Sequence, residues 1–235
     1  MRWVGHMKDK SPIILALDHP DVDSVRALID RTQNSISIYK LGLEFYLAQG
    51  KAGIRTIIEE FPEIDIFLDL KLHDIPNTVA GAASSISDLA PRFLTVHAAG
   101  GGAMVSAAVK ALPQTSITAV TVLTSLDQTE LVKLDLPPDP EQLALSLARR
   151  AIEHGASSIV CSPHEASAIR REFGAKVTII TPGVRPDGSE KGDQNRVMTP
   201  HQALSQGANY VVIGRPISQA SDPSTTAAEI RNSLL

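Results

Sequence analysis

Eight short apolar runs recur along this chain, and no other feature limits the possible folds as much. They are PIILALD (12–18), SIYKLGL (37–43), IDIFLDLK (64–71), FLTVHAA (93–99), ITAVTVLT (117–124), SSIVCSP (157–163), KVTIITPGV (176–184) and NYVVIGR (209–215). Each is rich in Val, Ile and Thr and almost continuously apolar, as strands buried on both faces are. Helical patterns lie between them. Residues 21–33 begin with a capping aspartate, and 139–156 carry Pro140 near the start and Gly155 near the end. Strands alternating with helices imply βαβ units and a parallel sheet. Eight such units predict a single-domain (β/α)₈ TIM barrel over residues 11–235, a little under the usual length of about 250. An open doubly wound sheet is the alternative, but it usually has fewer strands, and no G-x-G-x-x-G turn follows the first run.

Composition removes several classes of function. Hydrophobic residues make up 43% of the 235, enough for a full core. The net charge is −4, so no general attraction to nucleic acid or to an anionic membrane is expected. An anionic small ligand would have to meet local positive charge. The single cysteine, Cys161, rules out a disulfide within the chain and reads as a small core residue. No apolar run approaches the roughly 20 residues of a membrane-spanning helix. Residues 1–10 lack the apolar stretch of a secretory signal and are expected to be a short disordered lead. A cytoplasmic location is expected.

In such barrels the chemistry sits at the C-terminal ends of the strands. The ends of the eight runs offer Asp18, Lys40, Asp69 with Lys71, His97, Thr124 with Ser125, Pro182 with Arg185, and Gly214 with Arg215. The stretch FLDLKLHDIPNT (67–78) is the most informative. Alternation along a strand puts Phe67, Asp69 and Lys71 on one face and Leu68, Leu70 and Leu72 on the other. The leucines would pack against helices while the charges point into the barrel mouth. Asp74 follows in the loop, before Pro76 opens a helix. An isolated Asp–Lys pair could simply close the barrel top. The second acid, and Lys40 at the neighbouring strand end, favour chemistry. The Gly-, Pro- and charge-rich segment 181–200 reads as a binding loop, with 185–199 as a lid. In VIGRP (212–216), Gly214 allows close backbone approach and Arg215 offers a fork for phosphate. The seven histidines show no metal-ligand spacing. His73 reads as structural, His97 as part of the site or its wall, and 97–104 as a tight βα turn.

Taken in order, ALD, YKLG, DLKLHDIPNT, VTVLTS, TPGVRPDGSEKGDQ and VIGRP resemble the motifs of the orotidine 5′-phosphate decarboxylase family, bacterial type, over residues 12–235. The resemblance implies conversion of orotidine 5′-phosphate to UMP and CO₂, the last step of pyrimidine nucleotide synthesis, without metal or cofactor. It implies Lys71 as proton donor to C6 and Asp69 beside the departing carboxylate. Asp74, Ile75 and Thr78 would cross a homodimer interface into the partner's site. Asp18 and Lys40 would hold the ribose, and Thr124, Ser125 and Pro182 would meet the base. Arg185, Gln194, Gly214 and Arg215 would hold the phosphate. Related metal-dependent sugar-phosphate decarboxylases and aldolases share D-x-K-x-x-D, but they resemble this chain less, carrying a Glu metal ligand where Lys40 stands. A barrel that only binds a phosphate ligand would need Arg215 and the lid, but not Lys71 between two acids.

Overall fold

The computed structural model describes residues 11–186 and 198–235. The expected lead, Gln194 and most of the expected lid therefore lie outside the described residues. The strands are β1 (Ile13–Ala16), β2 (Ile38–Gly42), β3 (Asp65–Leu72), β4 (Phe93–His97), β5 (Ser116–Val120), β6 (Ser158–Val160), β7 (Thr178–Thr181) and β8 (Tyr210–Ile213). They form a closed barrel in sequence order, every neighbouring pair parallel, with β8 returning to β1. The helices are α1 (Val22–Thr32), α2 (Leu43–Glu60), α3 (Pro76–Ser85), α4 (Gly102–Ala111), α5 (Gln128–Lys133), α6 (Pro140–Glu153), α7 (Pro163–Phe173), α8 (Pro200–Ser205), α9 (Arg215–Ser218) and α10 (Pro223–Asn232). Each β-to-β crossing is covered by helix, with α5 and α9 added at the mouth end after β5 and β8.

Local chemistry sets the helix limits. Asp21 caps α1 by accepting from the Ser24 amide at 2.7 Å. Asp139 caps α6 through the Glu141 and Gln142 amides, and Pro140 supplies its first turn. α6 stops because Gly155 takes a left-handed φ of 98°. The Gly155 amide then bonds the Ile152 carbonyl, and the Ala156 amide bonds that of Ala151, both at 3.0 Å. This αL cap turns the chain into β6.

Alternation sorts the barrel's side chains. Ile13, Leu15, Tyr39, Leu41, Leu68, Leu94, Val96, Ile159 and Ile213 point outward into one continuous apolar layer beneath the helices. The inward side chains stack in tiers. At the floor, Arg92 donates to Asp65 at 2.6 Å and to the Tyr210 hydroxyl at 2.7 Å. Its guanidinium lies 5.1 and 5.4 Å from the Phe93 and Tyr210 ring centres. Beside it, the Ser116, Ser158 and Thr118 hydroxyls form a chain with links of 2.8 and 2.6 Å. Above lies a dry tier of Ile14, Ile38, Phe67, Phe93 and Ile180. The next tier, at the strand ends, carries Lys40, Asp69 and Thr95.

One local feature departs from the sequence expectation. Simple alternation along β3 fails near its end. Leu68 pairs with Leu94 but Leu72 pairs with Val96, so β3 takes four steps where β4 takes two. Lys71 lies in this bulge with a left-handed φ of 47°. It still reaches the mouth, but by a bulge and not by the pleat.

Candidate active site

A cleft of about 200 Å³ opens at the C-terminal end of the barrel. Lys40, Asp69 and Lys71 form its charged side. Val120, Val160 and Val212 form an apolar wall, with Phe67 from the dry tier below and Thr124 and Pro182 on the loops above.

The charges form an alternating line. Asp18 Oδ1 accepts from Lys40 Nζ at 3.0 Å, and the same ammonium lies 3.6 Å from Asp69 Oδ2. Asp69 Oδ1 accepts from Lys71 Nζ at 2.7 Å and from the Thr95 hydroxyl at 3.0 Å. Burial pushes the Asp69 carboxyl up. The Lys40 and Lys71 charges, with the hydrogen bonds from Lys71 and Thr95, outweigh that and hold it below the ordinary aspartate value. Asp69 is therefore a carboxylate at neutral pH. His97 packs on His73, ring centres 5.2 Å apart. Burial, then the neighbouring His73 and Lys71, lower its pKa, so the imidazole is neutral at pH 7. Cys161 also touches the cleft, where burial and Glu165 raise its thiol well above the usual value, so it stays protonated.

Five of the expected residues, Lys40, Asp69, Lys71, Thr124 and Pro182, thus line one cleft. Asp18 joins them through Lys40. Gly214 sits against the end of β1, where a Cβ would come within 3.4 Å of Ala16 Cβ and 3.8 Å of Asp18 Oδ2. These are ordinary van der Waals contacts and place Gly214 beside the β1 end of the charged line. Arg215 opens α9 and is exposed. Arg185 is half-buried, its amide bonded to the Met198 carbonyl at 2.9 Å, which ties together the two ends of the expected lid. Ser125 is exposed beside Thr124. Asp74, Ile75 and Thr78 do not line their own barrel's cleft. They are exposed where the chain enters α3, Thr78 in its first turn and Ile75 66% accessible before it, and Asp74 Oδ1 accepts from the Ile75 amide at 2.6 Å.

Sequence reasoning missed Thr95 and the valine wall. The valines share the inward parity of β5, β6 and β8, and that signal could have found them. Among the described residues, no group of three or more His, Cys, Asp or Glu side chains is placed to hold a metal ion, and no helix is long and apolar enough to cross a membrane.

Fold and cleft together define a (β/α)₈-barrel protein whose strand ends carry lysines interleaved with aspartates. A family model described as orotidine 5′-phosphate decarboxylase / HUMPS family matches residues 11–230, and the chain belongs to that family. It is 51% identical over 224 residues to the orotidine 5′-phosphate decarboxylase of Thermobifida fusca (strain YX), covering 95% of this chain and 96% of that one. It is 47% identical over 235 residues to the protein of the same name from Moorella thermoacetica, covering 96% and 92%. The crystal structure of orotidine 5′-phosphate decarboxylase from Lactobacillus acidophilus superposes with a TM-score of 0.83 at 31% identity, covering 96% of this chain and 99% of that one.

Proposed function

We propose that this chain converts orotidine 5′-phosphate to UMP and CO₂ in pyrimidine nucleotide synthesis, with no metal or cofactor. One observation carries the chemistry: Lys71 Nζ is held at the cleft by Asp69 at 2.7 Å, with Lys40 on the other carboxylate oxygen. Decarboxylation breaks the bond between C6 and its carboxylate and leaves the electron pair on C6. Lys71 offers a fixed positive charge beside that developing anion and then transfers a proton to it. Asp69 keeps Lys71 oriented and faces the departing carboxylate. The valine wall keeps water from the reacting carbon and strengthens the local electrostatics.

Lys40 supports the metal-free reading. Its ammonium lies between Asp18 and Asp69, where a metal shared by two carboxylates would otherwise sit. Binding is divided along the cleft. Asp18 and Lys40 take the ribose hydroxyls. Thr124, Ser125 and Pro182 take the base. Arg185, Gln194, Gly214 and Arg215 take the phosphate. Phosphate binding is remote from C6 and can help order the site.

The exposure of Asp74, Ile75 and Thr78 supports a homodimer in which each turn enters the partner's cleft across a two-fold interface. Two assays test the reading. Turnover of orotidine 5′-phosphate should persist after exhaustive chelation. No turnover overturns the function, and a loss restored by magnesium overturns the metal-free chemistry. For the shared site, Lys71→Ala and Asp74→Ala homodimers should each be nearly inactive. Mixed with subunit exchange, about half the dimers become hybrids with one intact site, returning about a quarter of wild-type activity. Folded, exchanging mutants that recover nothing rule the shared site out.

A further inference from the structure

Thr95 is fully buried at the third position of β4, facing inward beneath the charged line. Its hydroxyl has one donor and two acceptor positions. It accepts from the Lys71 backbone amide at 2.8 Å and donates to Asp69 Oδ1 at 3.0 Å. The other buried threonines behave differently. Thr32, Thr115, Thr118, Thr121 and Thr181 each donate to a backbone carbonyl. Among these residues, Thr95 alone links a backbone amide to a carboxylate, and both belong to the charged line.

The Lys71 backbone needs such a link. A β-bulge interrupts the β3–β4 ladder between Leu68 and Leu72, so the Lys71 amide lacks its regular place in it. Lys71 also has a φ of 47°, which is unfavourable for a residue with a long side chain. Conformations of this kind persist only where the surroundings over-determine them. The amide's bond to Thr95 is that restraint. Threonine suits the task because its β-branch limits rotation of the hydroxyl-bearing carbon. The same oxygen meets Asp69, so the direction of Lys71 and the orientation of its counter-ion are set together.

We propose that Thr95 is a positioning residue: its hydroxyl holds Lys71 in the left-handed conformation and aims Asp69, while itself touching neither substrate nor solvent. The inference rests on the function proposed above for its kinetic consequence, but not for its geometric one. The test therefore has two arms. In crystal structures, Thr95→Val should let Lys71 leave the left-handed region and lengthen the contact between Lys71 Nζ and Asp69, whereas Thr95→Ser should keep both. With orotidine 5′-phosphate, Thr95→Val should lower kcat by at least about tenfold, as a displaced reacting group does, with KM within about threefold of wild type. Thr95→Ser should keep kcat within about threefold. If Thr95→Val does not fold, Thr95→Ala loses the same two bonds without placing a methyl group against polar atoms, and is read in the same way. A valine or alanine variant that keeps Lys71 left-handed and on Asp69 overturns the proposal. So does a folded one with undiminished kcat, a loss carried by KM, or an equal loss in the serine variant. Should the wild-type protein not turn over orotidine 5′-phosphate, the proposed function falls and the crystal structures alone decide the role of Thr95.

Discussion

Asp65 and Asp69 stand on the same inward face of β3, one at each end of the barrel, and each meets a cation. At the floor the cation is Arg92. Its planar fork joins Asp65 and the Tyr210 hydroxyl, and its face lies against two aromatic rings. A planar fork bonded to an acid and stacked on rings is the arrangement that suits guanidinium chemistry. At the mouth the cations are lysines, compact charges on flexible stems, and Asp69 lies between two of them. Lys71 carries three N–H donors, and its bond to Asp69 at 2.7 Å uses one of them beside an open cleft. The difference teaches how to read charges inside a barrel. A pair enclosed by its own partners holds the fold together. A line of charges facing an open cleft is placed to act on something that enters it.

The comparison breaks most readily at Lys71. Lys71→Ala should lower kcat/KM for orotidine 5′-phosphate by at least about 10³-fold, since charge stabilisation and proton donation go together. Its circular dichroism should match wild type. Arg92→Met should show the opposite pattern. Removing one partner of a buried pair costs several kcal/mol, and with both side chains about one-fifth exposed (20% and 18%) the loss should be about 1–3 kcal/mol. That is a fall of roughly 2–10 °C in Tm, with kcat within about twofold of wild type. A floor variant that loses activity while keeping its stability would erase the distinction.

Two smaller effects sharpen it through pH. Asp69 is depressed in the folded state, so it adds stability that is present above the ordinary aspartate value of about 4 and lost as pH falls through its folded value. Lys40→Met removes one of the charges that depress it. The Asp69 carboxyl, followed by carbon NMR, should then titrate at higher pH than in wild type. An unmoved titration would mean that Lys40 does not act on Asp69. The smallest effect belongs to His97. Its lowered pKa adds stability that is present above about pH 6.5 and lost as pH falls through the folded value. Unfolding free energies of His97→Gln should lack that part of the acid slope.

The fold was largely legible because strand burial writes itself into composition: each of the eight runs contains a strand or overlaps one closely. Their ends were less legible. The run 117–124 continues past β5, which stops at Val120, because the apolar Val122 and Leu123 line the cleft beyond it. Lys40, Asp69 and Lys71 could be found because burying a charge at the end of an apolar run is costly unless it has a partner or a task there. Thr95 could not, since a threonine in a strand is ordinary β composition. The bulge at Lys71 was hidden too, because it arises from register with β4, which no local pattern encodes. Asp74 stood out as a second acid, but its proposed place in a partner's site, with Ile75 and Thr78, came only through family resemblance, because no pattern within one chain records a second one.

The dry tier of Ile14, Ile38, Phe67, Phe93 and Ile180 has a consequence for how the proposed reaction is resupplied. These five side chains carry no hydrogen-bonding group, so the part of the bore that they fill offers Lys71 no relay. The open cleft beside Lys71 is then its direct route to water and protons, and in the proposed reaction it is also the side by which the nucleotide enters. While the nucleotide fills the cleft, that approach is occupied, and Lys71 has a single proton to give. On the proposed mechanism its replacement waits until the product leaves, which would make Lys71 a one-shot donor, reloaded through the cleft between turnovers.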